Sequence, residues 1–241
     1  MVFAIIVAAG KGVRMRQTVR KQYLELAGKP LIGHTLIAID ACKKIDKVIL
    51  VIPQADFNVC GRIINRLNLQ KNPVLVAGGV QRQTSVYNGL CAIEAVAKAN
   101  GIVIIHDGVR PFVTSAILNA CIDGAYQTGA CITGIPAFDT LWQIDLKECV
   151  KKIIPRKMIR MAQTPQAFEY NLLKNAHDKA LQEGFIGTDD AALVENGGDR
   201  VKMIDGSRFN IKITTAEDME LARMFFQNLN IIDATLQKEV K

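Results

Sequence analysis

The chain has 241 residues, 49% hydrophobic and 22% charged, with 18 Gly and 7 Pro. That is enough apolar material for a full core, and it excludes collagen-like, low-complexity and wholly disordered classes. Thirty Lys and Arg against 23 Asp and Glu leave a formal charge of +7, which attracts anions and makes phosphorylated small molecules the leading partners.

Nucleic acid is not expected as a partner. The basic residues form only short groups such as Lys43-Lys44 and Lys151-Lys152, and aromatics reach 6% without a stacking stripe. No apolar run approaches the roughly 18 residues of a membrane-spanning helix, so no membrane is expected either. Cys42, Cys60, Cys91, Cys121, Cys131 and Cys149 lie far apart with no Cys-x-x-Cys pair. They are expected to be free, mostly buried thiols in a reducing compartment. With an apolar strand from Val2 and no charged leader ahead of it, a cytoplasmic location is expected.

In chain order, short apolar runs at 2–7, 47–52, 74–76, 102–105 and 130–135 alternate with segments of helical period at 31–42, 55–67, 84–99 and 115–128. This rhythm predicts an α/β fold with a doubly wound, mostly parallel sheet covered on both faces. After Ile135 it changes: 141–145 and 150–154 read as a β-hairpin arm, inserted at about 135–158. Helices at 170–183 and 189–195, strands at 200–204 and 210–213, and a last helix at 215–227 capped by Thr215 complete the expectation. With no internal repeat or linker, residues 1–241 are expected to form one domain with an arm.

Ala8-Ala9-Gly10-Lys11-Gly12-Val13-Arg14-Met15, followed by Lys21, stands directly after the first strand. Ligands of open α/β sheets bind beyond the carboxyl ends of strands, and glycines there let backbone N–H groups approach phosphates. Arg14 and Lys21 add cations suited to a triphosphate. The dinucleotide fingerprint fails, because Met15 replaces its third Gly and Asp40 is badly placed for a ribose. This argues against an NAD-dependent oxidoreductase, and the loop is not a Walker A loop.

His106-Asp107-Gly108-Val109-Arg110-Pro111 follows the strand at 102–105. Asp107 at a strand tip suits Mg²⁺, which takes one or two carboxylates plus substrate phosphates. Arg110 suits a phosphate, and His106 is more simply a satisfied structural residue. Gly78-Gly79-Val80-Gln81-Arg82-Gln83-Thr84-Ser85 lies between a strand and a helix, where Gly79, Arg82 and Ser85 could meet a base. Asp139-Thr140, Gln163-Thr164-Pro165-Gln166, Thr188-Asp189-Asp190 and 210–214 each read by themselves as caps, turns or edges.

Taken together, these stretches resemble the 2-C-methyl-D-erythritol 4-phosphate cytidylyltransferases of the non-mevalonate isoprenoid pathway, in order from Phe3 to about Phe226. The resemblance implies a nucleotidyltransferase Rossmann-like fold and attack of the substrate phosphate on the α-phosphorus of CTP, giving 4-diphosphocytidyl-2-C-methyl-D-erythritol and pyrophosphate. It implies Arg14, Lys21 and Lys212 as catalytic cations. Ala8, Ala9, Gly10, Gly12, Gly79, Arg82, Ser85, Asp107 and Gly108 would lie around CTP, fitting a pyrimidine and crowding out a purine. Arg110, Asp139, Thr140, Arg156, Thr164 and Thr188 would lie on the polyol phosphate, and Asp107 on Mg²⁺ or another divalent cation. The arm would cross a two-fold axis and carry Thr140 and Arg156 into a neighbour's site, making a homodimer.

Three positions depart from the family pattern. Val19-Arg20 stands where many members have Pro, making Arg20 a further phosphate donor, Phe138 stands where a basic residue is frequent, and Phe209 where some members have an acid. The related ribitol-5-phosphate cytidylyltransferase shares most motifs, including a Val before the Arg as at Val109. Gly108 and Thr188-Asp189-Asp190-Ala191-Ala192 favour the methylerythritol enzyme. A non-catalytic nucleotide- or nucleic-acid-binding protein is the reading from another class, marked by salt-dependent nucleic-acid binding without pyrophosphate release.

Overall fold

A strand that is apolar at every position, as Val2-Phe3-Ala4-Ile5-Ile6-Val7 is, needs cover on both faces. In a computed structural model, describing residues 1–10, 19–96 and 101–228, this run is β1 (Val2–Val7) near the middle of the sheet. Val2, Ala4 and Ile6 face one buried layer and Phe3 and Ile5 the other.

The further strands are β2 (Glu25–Leu26), β3 (Lys29–Pro30), β4 (Lys47–Ile52), β5 (Val74–Ala77), β6 (Ile102–Asp107), β7 (Ala130–Pro136), β8 (Leu141–Ile144), β9 (Val150–Ile154), β10 (Arg160–Glu169) and β11 (Lys202–Asp205). The helices are α1 (Leu31–Asp40), α2 (Phe57–Arg66), α3 (Arg82–Val96), α4 (Ser115–Thr128), α5 (Tyr170–Glu183), α6 (Asp190–Gly197) and α7 (Ala216–Gln227). Among the described residues the main sheet has seven strands in the order β11-β7-β10-β6-β1-β4-β5. β1 runs parallel to β4 and β6, and β10 alone runs antiparallel to its neighbours β6 and β7. The expected doubly wound, mostly parallel sheet is present.

The two faces are closed by different helices. Ile32, Leu36 and Ile39 of α1, Ile64 of α2 and Leu118 and Ile122 of α4 cover one face. Val86, Leu90 and Ile93 of α3, Leu173 of α5 and Leu193 and Val194 of α6 cover the other. Each fully buried side chain of this size contributes roughly 2 kcal/mol. A third cluster, in which Met219 and Ala222 of α7 meet Leu26, Leu31, Val109, Phe112 and Ile213, packs at the carboxyl ends of the central strands. Thr215 caps α7 as expected, with Asp218 returning the bond to the Thr215 backbone.

Two expectations are corrected. β10 was not foreseen, because Gln163-Thr164-Pro165-Gln166 is polar and contains a proline. The strand accommodates Pro165 where its register with β7 shifts, between Ala162 and Gln166, and the Thr164–Pro165 bond is cis. Residues 210–213 form no strand, because their backbone groups bond locally: the Asn210 and Ile211 N–H groups donate to the Ser207 and Phe209 carbonyls and the Ile213 N–H to that of Val109. The Asn210 carbonyl accepts from Arg110 Nη1 at 2.6 Å and Gln163 Nε2 at 3.4 Å.

The hairpin of β8 and β9 stands as its own two-stranded sheet, where the arm was expected. Trp142, Ile144 and Ile153 are each more than half exposed on it. All six cysteines are free, with Cys91 and Cys149 exposed and the other four buried. No described helix is long and apolar enough to cross a membrane.

Candidate active site

β1 and β6 end level with each other, Val7 opposite Asp107, and the chain runs from β1 toward the β4 edge of the sheet and from β6 toward the β7 edge. This is the switch point at which open α/β sheets form a crevice. A cavity of about 440 Å³ opens there. Ala8, Ala9, Gly10, Lys21, Gly79, Arg82, Ser85, Asp107 and Lys212 line it, all of them expected from the sequence. Val7, Gln22, Val80, Gln81 and Val109 also line it and were not anticipated.

The cavity floor is built around one carboxylate. Asp107 is 6% exposed, with Lys212 Nζ 3.0 Å from Oδ2, Arg110 Nε 3.5 Å from Oδ2 and Arg82 Nε 3.6 Å from Oδ1. Burial alone would raise this carboxyl, but Lys212, Arg82 and Arg110 hold it well below the usual carboxylate range. Lys212 reaches the floor because its neighbour Ile213 is fully buried under α7 and donates its N–H to the Val109 carbonyl at 3.0 Å.

His106 locks the strand tip. Its Nε2 lies 3.2 Å from the Arg110 carbonyl and its Nδ1 3.0 Å from Thr164 Oγ1, which accepts from the Asp107 N–H at 3.1 Å. These contacts assign the proton to Nε2 and make the Thr164 hydroxyl the donor to Nδ1. Burial pushes the imidazole down to about 4, so it is neutral near pH 7, the structural role expected of it.

Lys21 is held by its neighbours. Gln22, 1% exposed, donates from Nε2 to the Ala8 carbonyl at 2.8 Å, while Arg20 Nε lies 3.0 Å from Asp56 Oδ2. Arg20 is therefore committed to Asp56 and is not among the cavity's lining residues, contrary to the expectation of an extra phosphate donor. Across the cavity, the Ser85 hydroxyl accepts from the Gly79 N–H at 3.1 Å and donates to the Gln81 carbonyl at 2.9 Å. A Cβ on Gly79 would come within 2.4 Å of Thr84, so this close turn requires glycine.

Several expected residues lie elsewhere. Gly12 and Arg14 fall outside the described residues. Gly108 is buried between strand tips, donating to the Val7 carbonyl at 2.9 Å and accepting from Thr35 Oγ1 at 3.1 Å. A Cβ there would meet Ile32 at 2.6 Å and Ala8 at 2.9 Å, so close packing requires the glycine. Arg110 and Thr164, expected on a substrate phosphate, are 8% and 4% exposed and spend their polar groups inside the protein. Thr188 is exposed on a second cavity of about 550 Å³ with Asp189, Glu195 and Arg200. Asp139, Thr140 and Arg156 are exposed on the arm, and Arg156 Nη1 donates to the Phe138 carbonyl at 2.6 Å.

A profile of the 2-C-methyl-D-erythritol 4-phosphate cytidylyltransferase family matches residues 2–228. The chain belongs to this family. It is 44% identical over 225 residues to a protein of that name from Syntrophotalea carbinolica, covering 93% of this chain and 95% of the other. It is 41% identical over 230 residues to one from Geotalea uraniireducens, covering 95% and 98%. The structure of 4-diphosphocytidyl-2C-methyl-D-erythritol synthase from Anaerococcus prevotii superposes with a TM-score of 0.83 at 33% identity, covering 94% of this chain and 96% of that one. The protein is accordingly a nucleotidyltransferase enzyme.

Two departures from the cytidylyltransferase pattern have structural uses. The Phe138 ring carries the Arg208 guanidinium 4.3 Å from its centroid, and the Phe209 ring packs edge-on against Phe225 at 5.2 Å. Both contacts involve the segment leading to Lys212, through Arg208 and Phe209. Among residues the sequence did not single out, Gln22 has the clearest signal, a polar side chain one step past the Lys21 cation.

Proposed function

We propose that this cytidylyltransferase transfers the cytidylyl group of CTP to 2-C-methyl-D-erythritol 4-phosphate, with the triphosphate lying across the cavity between Lys21 and Lys212. The observation that carries this reading is the convergence of Lys21, Arg82 and Lys212 on one cavity at the tips of β1 and β6. Arg82, Arg110 and Lys212 outnumber Asp107 and Asp190 in the adjoining ion-pair cluster, leaving one net positive charge besides Lys21.

The attacking group is itself an anionic phosphate, so the protein need supply no nucleophile. Its tasks are alignment and neutralisation of charge building on the α-phosphoryl oxygens. Lys212 is suited to this, since it can turn from Asp107 to a phosphate while Arg82 and Arg110 keep Asp107 compensated. Lys21, held through Gln22 and Arg20, faces the cavity from the β1 side. The backbone wall of Ala8, Ala9, Gly10 and Gly79 would take the cytosine base.

Among the described residues, Asp107 is the one carboxylate lining the cavity, and no group of three or more His, Cys, Asp or Glu could hold a metal. One carboxylate fits a divalent cation whose other oxygens come from the triphosphate. Such a cation, Mg²⁺ in the first instance, would supply further charge neutralisation beside Asp107.

The polyol-phosphate side is assigned to a pair of chains. Thr140 and Arg156 lie outside their own chain's cavity, on an arm whose exposed Trp142, Ile144 and Ile153 suit an apolar interface. A homodimer in which each arm completes the neighbour's site accounts for both facts.

The test is pyrophosphate release from purified protein with Mg²⁺, pairing CTP with 2-C-methyl-D-erythritol 4-phosphate or D-ribitol 5-phosphate, and ATP, GTP and UTP as nucleotide controls. Release with CTP and methylerythritol phosphate alone is expected. A preference for ribitol phosphate reassigns the substrate, and no release with any pair overturns catalysis.

A further inference from the structure

Arg82 stands at the start of α3 on the cavity wall, yet its strongest contact lies behind that wall. Nη1 donates to Asp190 Oδ2 at 2.7 Å, whereas the approach of Nε to Asp107 is 3.6 Å. Asp190 opens α6 and is 1% exposed, and its other oxygen lies 3.1 Å from Nε2 of His177 on α5, which is also 1% exposed. Neither Asp190 nor His177 lines the cavity. The Tyr87 ring from α3, 6.2 Å away between centroids, flanks the imidazole.

A carboxylate this deep is costly unless both oxygens are used. Burial pushes the Asp190 carboxyl up, but Arg82 and then His177 outweigh it and keep it ionised. An Nε2–H donated by His177 occupies Oδ1 and turns Oδ2 toward Arg82, so the whole charge of Asp190 serves one guanidinium. Asp107, by contrast, is shared by three cations. Without Asp190, the ion pair left to Arg82 among the described residues would be that with Asp107, where it would compete with Lys212 and Arg110. With Asp190, Arg82 is held from the far side and Lys212, 39% exposed, stays the cation able to leave for a phosphate.

We propose that Asp190, braced by His177, is a positioning residue for the nucleotide, fixing the Arg82 guanidinium at the cavity wall across the contact between α3, α5 and α6. The proposal rests on the reading that Arg82 faces CTP.

Steady-state kinetics of the full chain, varying CTP and 2-C-methyl-D-erythritol 4-phosphate separately, test it. Asp190→Asn, which keeps volume and removes charge, is expected to raise the KM for CTP about tenfold and to leave the KM for the polyol phosphate unchanged. In an Arg82→Ala background the same substitution should add nothing, because its effect passes through Arg82. An equal further rise in that background would mean that Asp190 acts on general stability, and would overturn the proposal.

If Arg82→Ala alone leaves the KM for CTP unchanged, the assignment of Arg82 to the nucleotide fails and the proposal fails with it. If Arg82→Ala raises that KM and Asp190→Asn does not, only the positioning role is lost. Should Asp190→Asn not fold, His177→Gln, which can still donate, and His177→Leu, which cannot, decide the matter. A higher KM for CTP in the leucine variant, recovered in the glutamine variant, supports the brace, and equal values overturn it.

Discussion

The cavity floor and the hairpin arm both carry cations assigned to phosphates, in opposite physical states. On the floor, Asp107 and Arg110 are nearly buried, Lys212 is pinned through Ile213, and the His106–Thr164–Asp107 chain fixes the strand tip. On the arm, Arg156 meets a carbonyl of its own chain, and large apolar side chains, Trp142, Ile144 and Ile153 among them, face solvent. The floor is preorganised inside one chain, where fixed charges need little rearrangement to meet a developing charge. The arm presents half of a surface, and the function assigned to it needs a second chain.

Removing Lys212 from the floor should have the largest effect. Lys212→Ala is expected to lower turnover about a thousandfold, the scale of losing one transition-state donor. Thermal unfolding should barely change, because Arg82 and Arg110 still compensate Asp107. Near-normal turnover in this variant would remove Lys212 from the chemistry.

The arm should yield to charge placed on its apolar face. Trp142→Glu combined with Ile153→Glu is expected to weaken self-association about a hundredfold, read by analytical ultracentrifugation. The KM for the polyol phosphate should rise with it while CTP binding persists. A wild-type chain that is fully active as a monomer would refute the shared site.

Legibility in the sequence follows the same division. Strands buried on both faces, such as β1 and β6, declare themselves as unbroken apolar runs, and the glycine turns and cations at their tips mark the crevice. β10 was hidden because tertiary packing holds a polar, proline-containing run at the centre of the sheet. Residues 210–213 misled in the opposite sense: apolar alternation suggested a strand, but Arg110 and Gln163 satisfy the Asn210 carbonyl instead. Arg110, Thr164 and Gly108 stand beside the site but bond within the chain, since a motif shows that a residue lies near the site and not which way its polar atoms turn. The Asp190–His177 support joins residues thirteen apart in sequence to Arg82, 108 positions away from Asp190, and no local pattern announces it.

Packing separates the two regions at a smaller scale. Gly108→Ala would push a methyl group against Ile32 and Ala8, and overpacking of this kind costs about 2 kcal/mol. A lower melting temperature together with a raised KM for CTP is the expected result, because Ala8 lines the cavity. Full stability would show that the floor is looser than its contacts imply.

The smallest expected effect discriminates most sharply between one chain and two. Arg156→Ala should raise the KM for the polyol phosphate about tenfold, the loss of one charged hydrogen bond, with the KM for CTP unchanged. If Arg156 serves the neighbour's site, mixing this variant with Lys212→Ala creates a heterodimer with one wholly intact site, built from the Lys212 of one subunit and the Arg156 of the other. Random exchange of subunits then gives about a quarter of wild-type activity at low polyol phosphate, well above the mean of the two variants. If Arg156 serves its own chain, every site in the mixture carries a defect and the activity equals that mean.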